Sequence, residues 1–516
     1  MRSSRTSPQT ALFRINSAGV AERFGEQYVS NDKQPGSGRL AGAKSPSYQR
    51  AVNEPETRAS RFTARFMLAS DVAFVLSAAE LGATPRKVAA GLLKALLSLY
   101  DDVDDIDSSM PLGDVVAQRE VWVTEKAGRE NTAWLHLGRN RGESLRSFLP
   151  RMFFRQTLHE AAQANAKLVK NLVVRAGPFL ESISPNYHHL QHSGLTTLGE
   201  YLLSWAIVFE RHMERFEQVE RRLDKAPPPF GGRKVLDDLY RDVSRRLGFS
   251  RRARIRRDAI WVHDQFTEPF FALSLLSVDL ARFAQDLRVW MTPEFGFFEL
   301  ADEHAGGSSA LPHAKVPFGL QAVIGGSIMA STRLAGEMAA ASNLSEGSEP
   351  IYQSAGLYSL SQDIIAFTHY MGDVIEKGRF NLDEMRRKAT LDYAGSSEAH
   401  DRLVYDFQVP FRTGHRALGA LVRNHYLKEP PVDLNQMLEK ELGRPFAIDQ
   451  DEIMDIVLVK RIWPSMFDFP MLHETLAEYE NKADAAVTKS AGEGAVEQAI
   501  KALFAEARDW LANAET

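Results

Sequence analysis

The chain has 516 residues, of which 44% are hydrophobic and 25% charged, and its formal net charge is −5. This length allows a large core in roughly two to four domains, and the slightly acidic charge argues against a general nucleic-acid binder. Because the chain has no cysteine, no apolar run of the roughly 18 residues that a membrane span needs and no secretory signal, we expect a cytoplasmic protein without disulfides or a membrane segment.

The N-terminal half is predicted to be helical after an irregular start. Residues 1–58 are rich in Ser, Gly, Pro, Arg and Gln and show little periodicity, which predicts an extended or partly disordered arm. Apolar residues at three- and four-residue spacings predict a helix over 61–81, and Pro85 opens another that continues to Leu99. Segments 145–176 and 195–223 are long enough for the helices of a bundle.

Two charged segments suggest other functions. Residues 101–105 read DDVDD, the DDxxD pattern that holds magnesium in isoprenoid synthases, but no second acidic motif follows at the right spacing. An exposed acidic helix end is therefore the favoured interpretation. Residues 245–257 (RRLGFSRRARIRR) form a basic patch that could bind an anion or a nucleic acid. They lack the series of interleaved aromatic side chains used for single-strand binding, which favours a solvated surface segment.

The C-terminal half is also predicted to be helical. Residues 269–290 carry one apolar stripe and predict an amphipathic helix. Residues 321–341 are apolar and rich in small residues, compatible with a buried helix, and 351–375 predict another. From 481 onwards the chain is rich in Ala, Glu and Lys and predicts a helix or a frayed tail. Strand patterns are scarce, so the predicted fold is mostly α.

The segment from Gly307 to Pro317, GSSALPHAKVP, resembles the signature loop of the fumarase/aspartase superfamily, which reads roughly Gly-Ser-Ser-x-Met-Pro-x-Lys-x-Asn-Pro. Further segments resemble argininosuccinate lyases in particular. Leu135–Arg141 resembles their Leu-His-Thr-Gly-Arg-Ser-Arg loop, and Tyr187–Gln191 resembles their Tyr-Thr-His-Leu-Gln. Weaker similarities follow in the same order at 258–268, 287–300, 379–388 and 409–415. The resemblance thus runs from about residue 60 to about residue 430.

This resemblance implies a mostly helical, three-domain fold with a long central helical bundle. It also implies a homotetramer in which three subunits contribute to each active site, and a small-molecule substrate. Neither a metal nor an organic cofactor is expected, since the family's β-elimination needs none. The domain limits that we predict are an arm at 1–58, an N-terminal helical domain at 59–135, a central long-helix domain at 136–378, a C-terminal helical domain at 379–480 and a helical tail at 481–516.

The resemblance also assigns roles to individual residues. Ser308 would be the base that removes a proton beside a carboxylate, and His189 would occupy the position of the catalytic histidine. Lys315, one position after the family's lysine, is the third catalytic candidate. The substrate-binding candidates are Ser309, Gln191 and the group Arg139, Asn140 and Arg141, whose paired guanidinium groups suit a carboxylate.

Several departures from the family pattern fall in the same segments. Ala314 stands where the signature lysine belongs, Val316 where the asparagine belongs, and Gln321 where a glutamate usually pairs with the histidine. Three hypotheses remain open. The chain is a divergent carbon–nitrogen lyase acting on a nonstandard succinyl or aspartyl substrate, a noncatalytic homologue with a structural or binding role, or an argininosuccinate lyase of arginine biosynthesis.

Overall fold

The computed structural model describes residues 45–101, 115–139, 147–229, 234–260, 263–343, 351–460 and 467–515. Seven helices precede the first strand in these ranges: α1 (Pro46–Tyr48), α2 (Glu54–Ser60), α3 (Ala64–Glu80), α4 (Arg86–Asp101), α5 (Val115–Ala127), α6 (Arg129–Thr132) and α7 (Leu149–Ala176). Almost every side chain of α3 is buried, so α3 forms the centre of the N-terminal part. Asp101, the first residue of the DDxxD motif, pairs with Arg508 at 3.0 Å, whereas residues 102–105 lie outside the described residues.

The central part consists of long helices that pack side by side. After the strands β1 (Ile183–His188) and β2 (Gln191–Thr197) come α8 (Leu198–Leu223), α9 (Lys234–Arg246), α10 (Arg256–Ile260), α11 (Asp264–Trp290), the two-residue strand β3 (Phe298–Glu299), α12 (Phe318–Asn343) and α13 (Ile351–Lys377). The helices α7, α8, α11, α12 and α13 contact one another and share one apolar core. The predictions of a mostly α fold and of long bundle helices are confirmed.

One predicted helix start was wrong, and one helix predicted to be buried is covered only in part within a single chain. Helix α11 begins at Asp264 rather than at Pro269. Pro269 removes only one main-chain hydrogen bond, and the buried side chains Phe266 and Phe270 on either side of it keep the turn helical. Helix α12, expected to be buried, leaves the side chains of Ile328 and Met329 about 60% exposed, at 62% and 59%. Leu320, Val323 and Ala330 of the same helix are buried in the main core, so only part of its apolar surface is covered within a single chain.

The C-terminal part has its own small core and then returns to the bundle. The elements are β4 (Arg379–Phe380), α14 (Leu382–Ala389), α15 (Ser396–Tyr405), α16 (Phe411–Leu427), α17 (Leu434–Leu442), α18 (Gln450–Val457), α19 (Phe469–Ser490) and α20 (Ala495–Glu515). Helices α15 to α18 enclose a separate apolar cluster. Helix α19 packs on α7 and α8, and α20 packs on α3 and α4 with Leu503 and Phe504 buried in the main core.

The strands form two small antiparallel sheets. Strands β1 and β2 make a hairpin with a bulge after Asn186, and β3 pairs with β4. The hairpin was not predicted, because its sequence lacks the alternation of apolar and polar residues that marks a strand. Within the described residues, no helix combines the length and apolarity needed to cross a membrane.

Candidate active site

The segment that resembles the signature loop is a closed loop between β3 and α12. Gly306 and Val316 exchange two main-chain hydrogen bonds of 2.8 Å each, which tie the two ends of the loop together. A side chain at Gly306 would meet the ring of Phe318 at 2.2 Å, so this close approach requires glycine. Val316, which replaces the family's asparagine, thus contributes through its backbone to closing the loop.

Ser308 lies inside this loop with its hydroxyl oxygen bound to two backbone donors. The N–H groups of Ala310 and Leu311 donate to Ser308 Oγ at 3.3 and 3.1 Å. Hydrogen bonds that point at an oxygen favour its anionic form, because they stabilise the negative charge directly. The neighbouring Ser309 is exposed. The loop thus directs two backbone N–H groups at the Ser308 oxygen.

Lys315 is held at the foot of the loop by two carboxylates. Its Nζ lies 2.7 Å from Asp302 and 3.0 Å from Glu299, and Glu299 also pairs with Arg379 at 2.6 Å. The hydrogen bonds with Asp302 and Glu299 raise the pKa of Lys315, so its amine is protonated at neutral pH. Within the described residues, none of its hydrogen bonds or ion pairs involves Ser308.

His189 occupies the tip of the β1–β2 hairpin. His189 and Leu190 form a two-residue turn in which both have positive φ, 54° and 59°, a conformation that usually selects Asn-Gly. The His189 side chain is exposed, and its ring lies 4.3 Å from that of His188 between centroids. Gln191, also exposed, donates its side-chain amide to the Leu190 carbonyl at 3.2 Å. The turn thus presents two imidazoles and an amide to solvent.

His192 and Tyr187 connect the hairpin to the rest of the chain. His192 Nδ1 donates to the carbonyl of Leu391 at 3.0 Å, and the Tyr187 hydroxyl lies 3.1 Å from His192 Nε2. Because Nδ1 is the donor, Nε2 is left to accept from the tyrosine hydroxyl. Burial raises the pKa of Tyr187 to about 12, so the hydroxyl keeps its proton. This pair fixes the tip that carries His189.

Arg139 lies in the N-terminal part, away from solvent. Its guanidinium donates to Asp71 of α3, and the fully buried Arg119 donates to the same carboxylate oxygen at 3.1 Å. Arg139 also stacks over the ring of Phe74 at 4.4 Å. Burial lowers the pKa of Arg119 from its ordinary value. The charge of Arg139 is therefore used inside the chain, whereas Asn140 and Arg141 lie outside the described residues.

Comparisons with known proteins place this architecture in a family. A family described as "Lyase" matches residues 48–331, more than half of the chain. The chain belongs to this lyase family. Argininosuccinate lyase of Mycolicibacterium gilvum is 30% identical over 382 residues, which cover 71% of this chain and 78% of that protein. Argininosuccinate lyase of Leifsonia xyli subsp. xyli is 28% identical over 442 residues, 82% of this chain and 90% of that protein.

Solved structures share the fold of this lyase at lower identity. EDDS lyase in complex with formate superposes with a TM-score of 0.74 at 20% identity, covering 92% of this chain and 96% of that one. Class II fumarase from Schistosoma mansoni gives 0.61 at 13% identity, covering 79% and 91%. The lyase is therefore a member of the fumarase/aspartase superfamily, close to argininosuccinate lyase, as its motifs predicted.

The candidate residues of the lyase lie in three separate settings within one chain. Ser308 and Lys315 share the closed loop, His189 and Gln191 share the hairpin tip, and Arg139 sits against α3. Within the described residues, no hydrogen bond or ion pair joins one setting to another. Sequence reasoning missed the supporting residues, chiefly Asp71 and Glu299. Asp71 lies 68 residues from Arg139 in the sequence, and Glu299 lies 16 residues from Lys315, so no local pattern reveals either pair.

Proposed function

We propose that this lyase cleaves a carbon–nitrogen bond by β-elimination from a succinyl or aspartyl adduct of an amine, and that it releases fumarate. The observation that carries the proposal is the Ser308 hydroxyl oxygen, which accepts two backbone hydrogen bonds inside a closed loop. A serine acts as a base only when its alkoxide is stabilised. Here Ala314 has replaced the lysine of the signature, and the two N–H groups supply part of that stabilisation.

In the proposed step, Ser308 Oγ removes a proton from the carbon beside one carboxylate of the substrate. The electron pair of that C–H bond first collects on the carboxylate, where hydrogen-bond donors must stabilise the extra charge. It then forms the new carbon–carbon double bond of fumarate as the carbon–nitrogen bond breaks. The nitrogen leaves with the bonding pair and takes a proton from a general acid, so atoms and charges balance.

His189 is the proposed general acid or substrate-binding group. It stands on an exposed, strained turn, and strain of this kind is concentrated at functional sites. His188 occupies the place of a threonine in the related motif, so the tip offers a second imidazole beside the first. This extra ring changes the shape of the exposed tip, which supports a substrate other than the usual one.

We propose that the complete site is shared between subunits of a homotetramer. The three settings that hold Ser308, His189 and Arg139 are separate within one chain. Helix α12, which starts at the end of the signature loop, carries exposed apolar side chains. Phe318 is 56% exposed and Met338 is 61% exposed. Association along α12 would bury them and would bring signature loops close to segments of neighbouring chains.

The test is fumarate release, followed by its ultraviolet absorbance, from argininosuccinate and a series of N-substituted aspartates. Ser308→Ala should reduce release about 10²- to 10⁴-fold, the usual contribution of a positioned base. Ser397→Ala is the matched control, because it removes an exposed hydroxyl from α15, outside the signature loop, and it should leave release unchanged. Circular dichroism of both variants checks that they fold.

The possible outcomes of this assay distinguish the three hypotheses. Release from N-substituted aspartates but not from argininosuccinate supports the divergent lyase. Efficient release from argininosuccinate would show that the chain is an argininosuccinate lyase, as its relatives are named. If no adduct releases fumarate, the noncatalytic hypothesis is favoured, in agreement with the loss of the signature lysine and with the engagement of Lys315 by Asp302 and Glu299.

A further inference from the structure

The closed loop, residues 306–316, is bordered on both sides by one aromatic side chain, that of Tyr370 in α13. Before the loop, the Tyr370 hydroxyl donates to the main-chain oxygen of His304 at 2.9 Å. After the loop, the Tyr370 ring packs against Gly319, the second residue of α12, so closely that a Cβ atom there would collide with the ring and its hydroxyl. One side chain therefore contacts the chain at both ends of the segment that carries Ser308.

The contact before the loop uses a hydroxyl that keeps its proton. Tyr370 is half-buried, and burial raises its pKa to about 12, so at neutral pH the hydroxyl is protonated and can donate. The ring of His304 also meets that of Tyr370 edge-on, with 5.8 Å between centroids and an interplanar angle of 89°. This edge-to-face arrangement is a favourable one for aromatic rings. Tyr370 thus holds His304 by its main chain and by its side chain.

The contact after the loop depends on glycine. Glycine is unfavourable within a helix because it loses more conformational freedom on folding than other residues, and yet Gly319 lies in the first turn of α12. Its lack of a Cβ atom allows the Tyr370 ring to approach the backbone, just as Gly306 admits the ring of Phe318. Because close-packed groups transmit a displacement, a shift of the Tyr370 ring would move the start of α12.

Helix α13 gives Tyr370 a fixed position in the bundle. Lys377 lies about two turns further along the same face of α13 and pairs there with Glu303, the residue before His304. Asp373, between them, pairs with Lys167 of α7 at 2.8 Å, which joins α13 to the neighbouring helix. Groups on packed helices hold their positions more precisely than groups on loops. Tyr370 can therefore fix the loop relative to the bundle.

We propose that Tyr370 is a positioning residue for the elimination: through His304 and Gly319 it fixes where the loop places the Ser308 oxygen. This inference rests on the proposed function, in which Ser308 is the base. A base acts only when it comes within about 3 Å of the group whose proton it removes. A displacement of about 1 Å can lower the rate about a hundredfold. Tyr370 serves this requirement by holding His304 in place rather than by transferring a proton itself.

Tyr370→Phe is the most direct test, because it removes the hydroxyl and keeps the ring. It should lower kcat for fumarate release about tenfold and change KM less than about twofold, since the substrate still binds but the base is misplaced. Tyr405→Phe is the matched control, because Tyr405 is 78% exposed on α15, and this variant should keep the wild-type kcat. An unchanged kcat in Tyr370→Phe, or an equal loss in both tyrosine variants, overturns the proposal.

Gly319→Ala perturbs the contact after the loop and leaves the hydroxyl of Tyr370 in place. The new methyl group must displace the tyrosine ring, so kcat should again fall about tenfold with little change in KM. Gly419→Ala is its control, since Gly419 lies in α16 with open space where the Cβ atom would stand, and it should keep the wild-type kcat. A wild-type kcat in Gly319→Ala would overturn the proposal that Tyr370 acts on both ends of the loop.

Hydrogen exchange of the loop amides gives a readout that does not depend on activity. The amides of Ala310 and Leu311, which bind the Ser308 oxygen, should exchange about fivefold faster in Tyr370→Phe, the factor that one hydrogen bond usually contributes. The amides of α7 should exchange as in wild type, which shows that the variant is folded. If wild type releases no fumarate, the proposed function fails, whereas faster exchange in Tyr370→Phe would still show that Tyr370 holds the loop. Unchanged exchange of the two loop amides overturns the proposal, whatever the kinetic result.

Discussion

At the scale of single residues, the strained turn at His189 and Leu190 is the feature most open to experiment. Leu190 has φ of 59° and is 65% exposed, so its side chain gains little from packing in the isolated chain. A residue with a Cβ atom in this region costs roughly 1–2 kcal/mol relative to the right-handed alternative. The sequence keeps a leucine where glycine would fit better, which agrees with a functional rather than a structural requirement at this tip.

Leu190→Gly is expected to stabilise the hairpin by about 0.5–1 kcal/mol, because glycine relieves the strain but loses more backbone entropy on folding. The measurement is hydrogen exchange of the amides in β1 and β2, which should slow. Leu190→Ala is the control, since it removes the side chain but keeps the Cβ atom, and it should not slow exchange. If both variants behave alike, the effect comes from the lost side chain and not from the positive φ.

At the scale of elements, α8 and α11 are joined by a buried histidine. His212 Nε2 donates to Asp279 at 3.0 Å, and Arg215 donates to His212 Nδ1 at 3.3 Å, an arrangement that requires the neutral imidazole. Burial, with Arg215 and Arg211 adding to it, lowers the pKa of His212 although Asp279 opposes the change. The unfolded chain therefore binds a proton more readily than the folded one.

This difference predicts that stability falls as the pH decreases. The contribution of His212 is fully present above the unfolded pKa of about 6.5 and is lost as the pH falls through the lower folded pKa. One such group changes the free energy of unfolding by at most about 1.4 kcal/mol per pH unit. Urea unfolding between pH 8 and pH 5 should show this slope in wild type and a flatter one in His212→Gln. His473→Gln, an exposed histidine of α19, should keep the wild-type slope.

The elements also show what the sequence could and could not predict. Helix α11 was predicted because its apolar residues form one stripe at helical spacing, and α8 because segment 195–223 is long enough for a bundle helix. Ser308 was proposed as the base because its neighbours form a recognisable motif. The β1–β2 hairpin was missed since its residues do not alternate. The partners of Lys315 and Arg139 were missed since Glu299 and Asp71 are brought to them only by the fold. Periodicity reports which face is apolar, but it does not report what covers that face.

At the scale of the whole molecule, α12 shows the difference between knowing that a helix face is apolar and knowing what covers it. Its composition predicted a buried helix, and yet a single chain leaves Ile328 and Met329 more than half exposed. The two statements agree if another copy of the chain covers this face, as in the homotetramer that we propose. Exposed apolar area of this kind marks an interaction surface rather than an ordinary surface helix.

Met329→Glu should therefore reduce the assembled mass from four times the 57.7 kDa chain to that of smaller species, because a buried carboxylate without a partner opposes association. Light scattering after size-exclusion chromatography measures this change, and fumarate release should fall with it if subunits share the site. Tyr426→Glu is the control, since Tyr426 is 72% exposed on α16, outside the bundle, and its substitution should leave the mass unchanged. A Met329→Glu protein that keeps both its mass and its activity would exclude α12 as the assembly surface and would require each chain to complete its site alone.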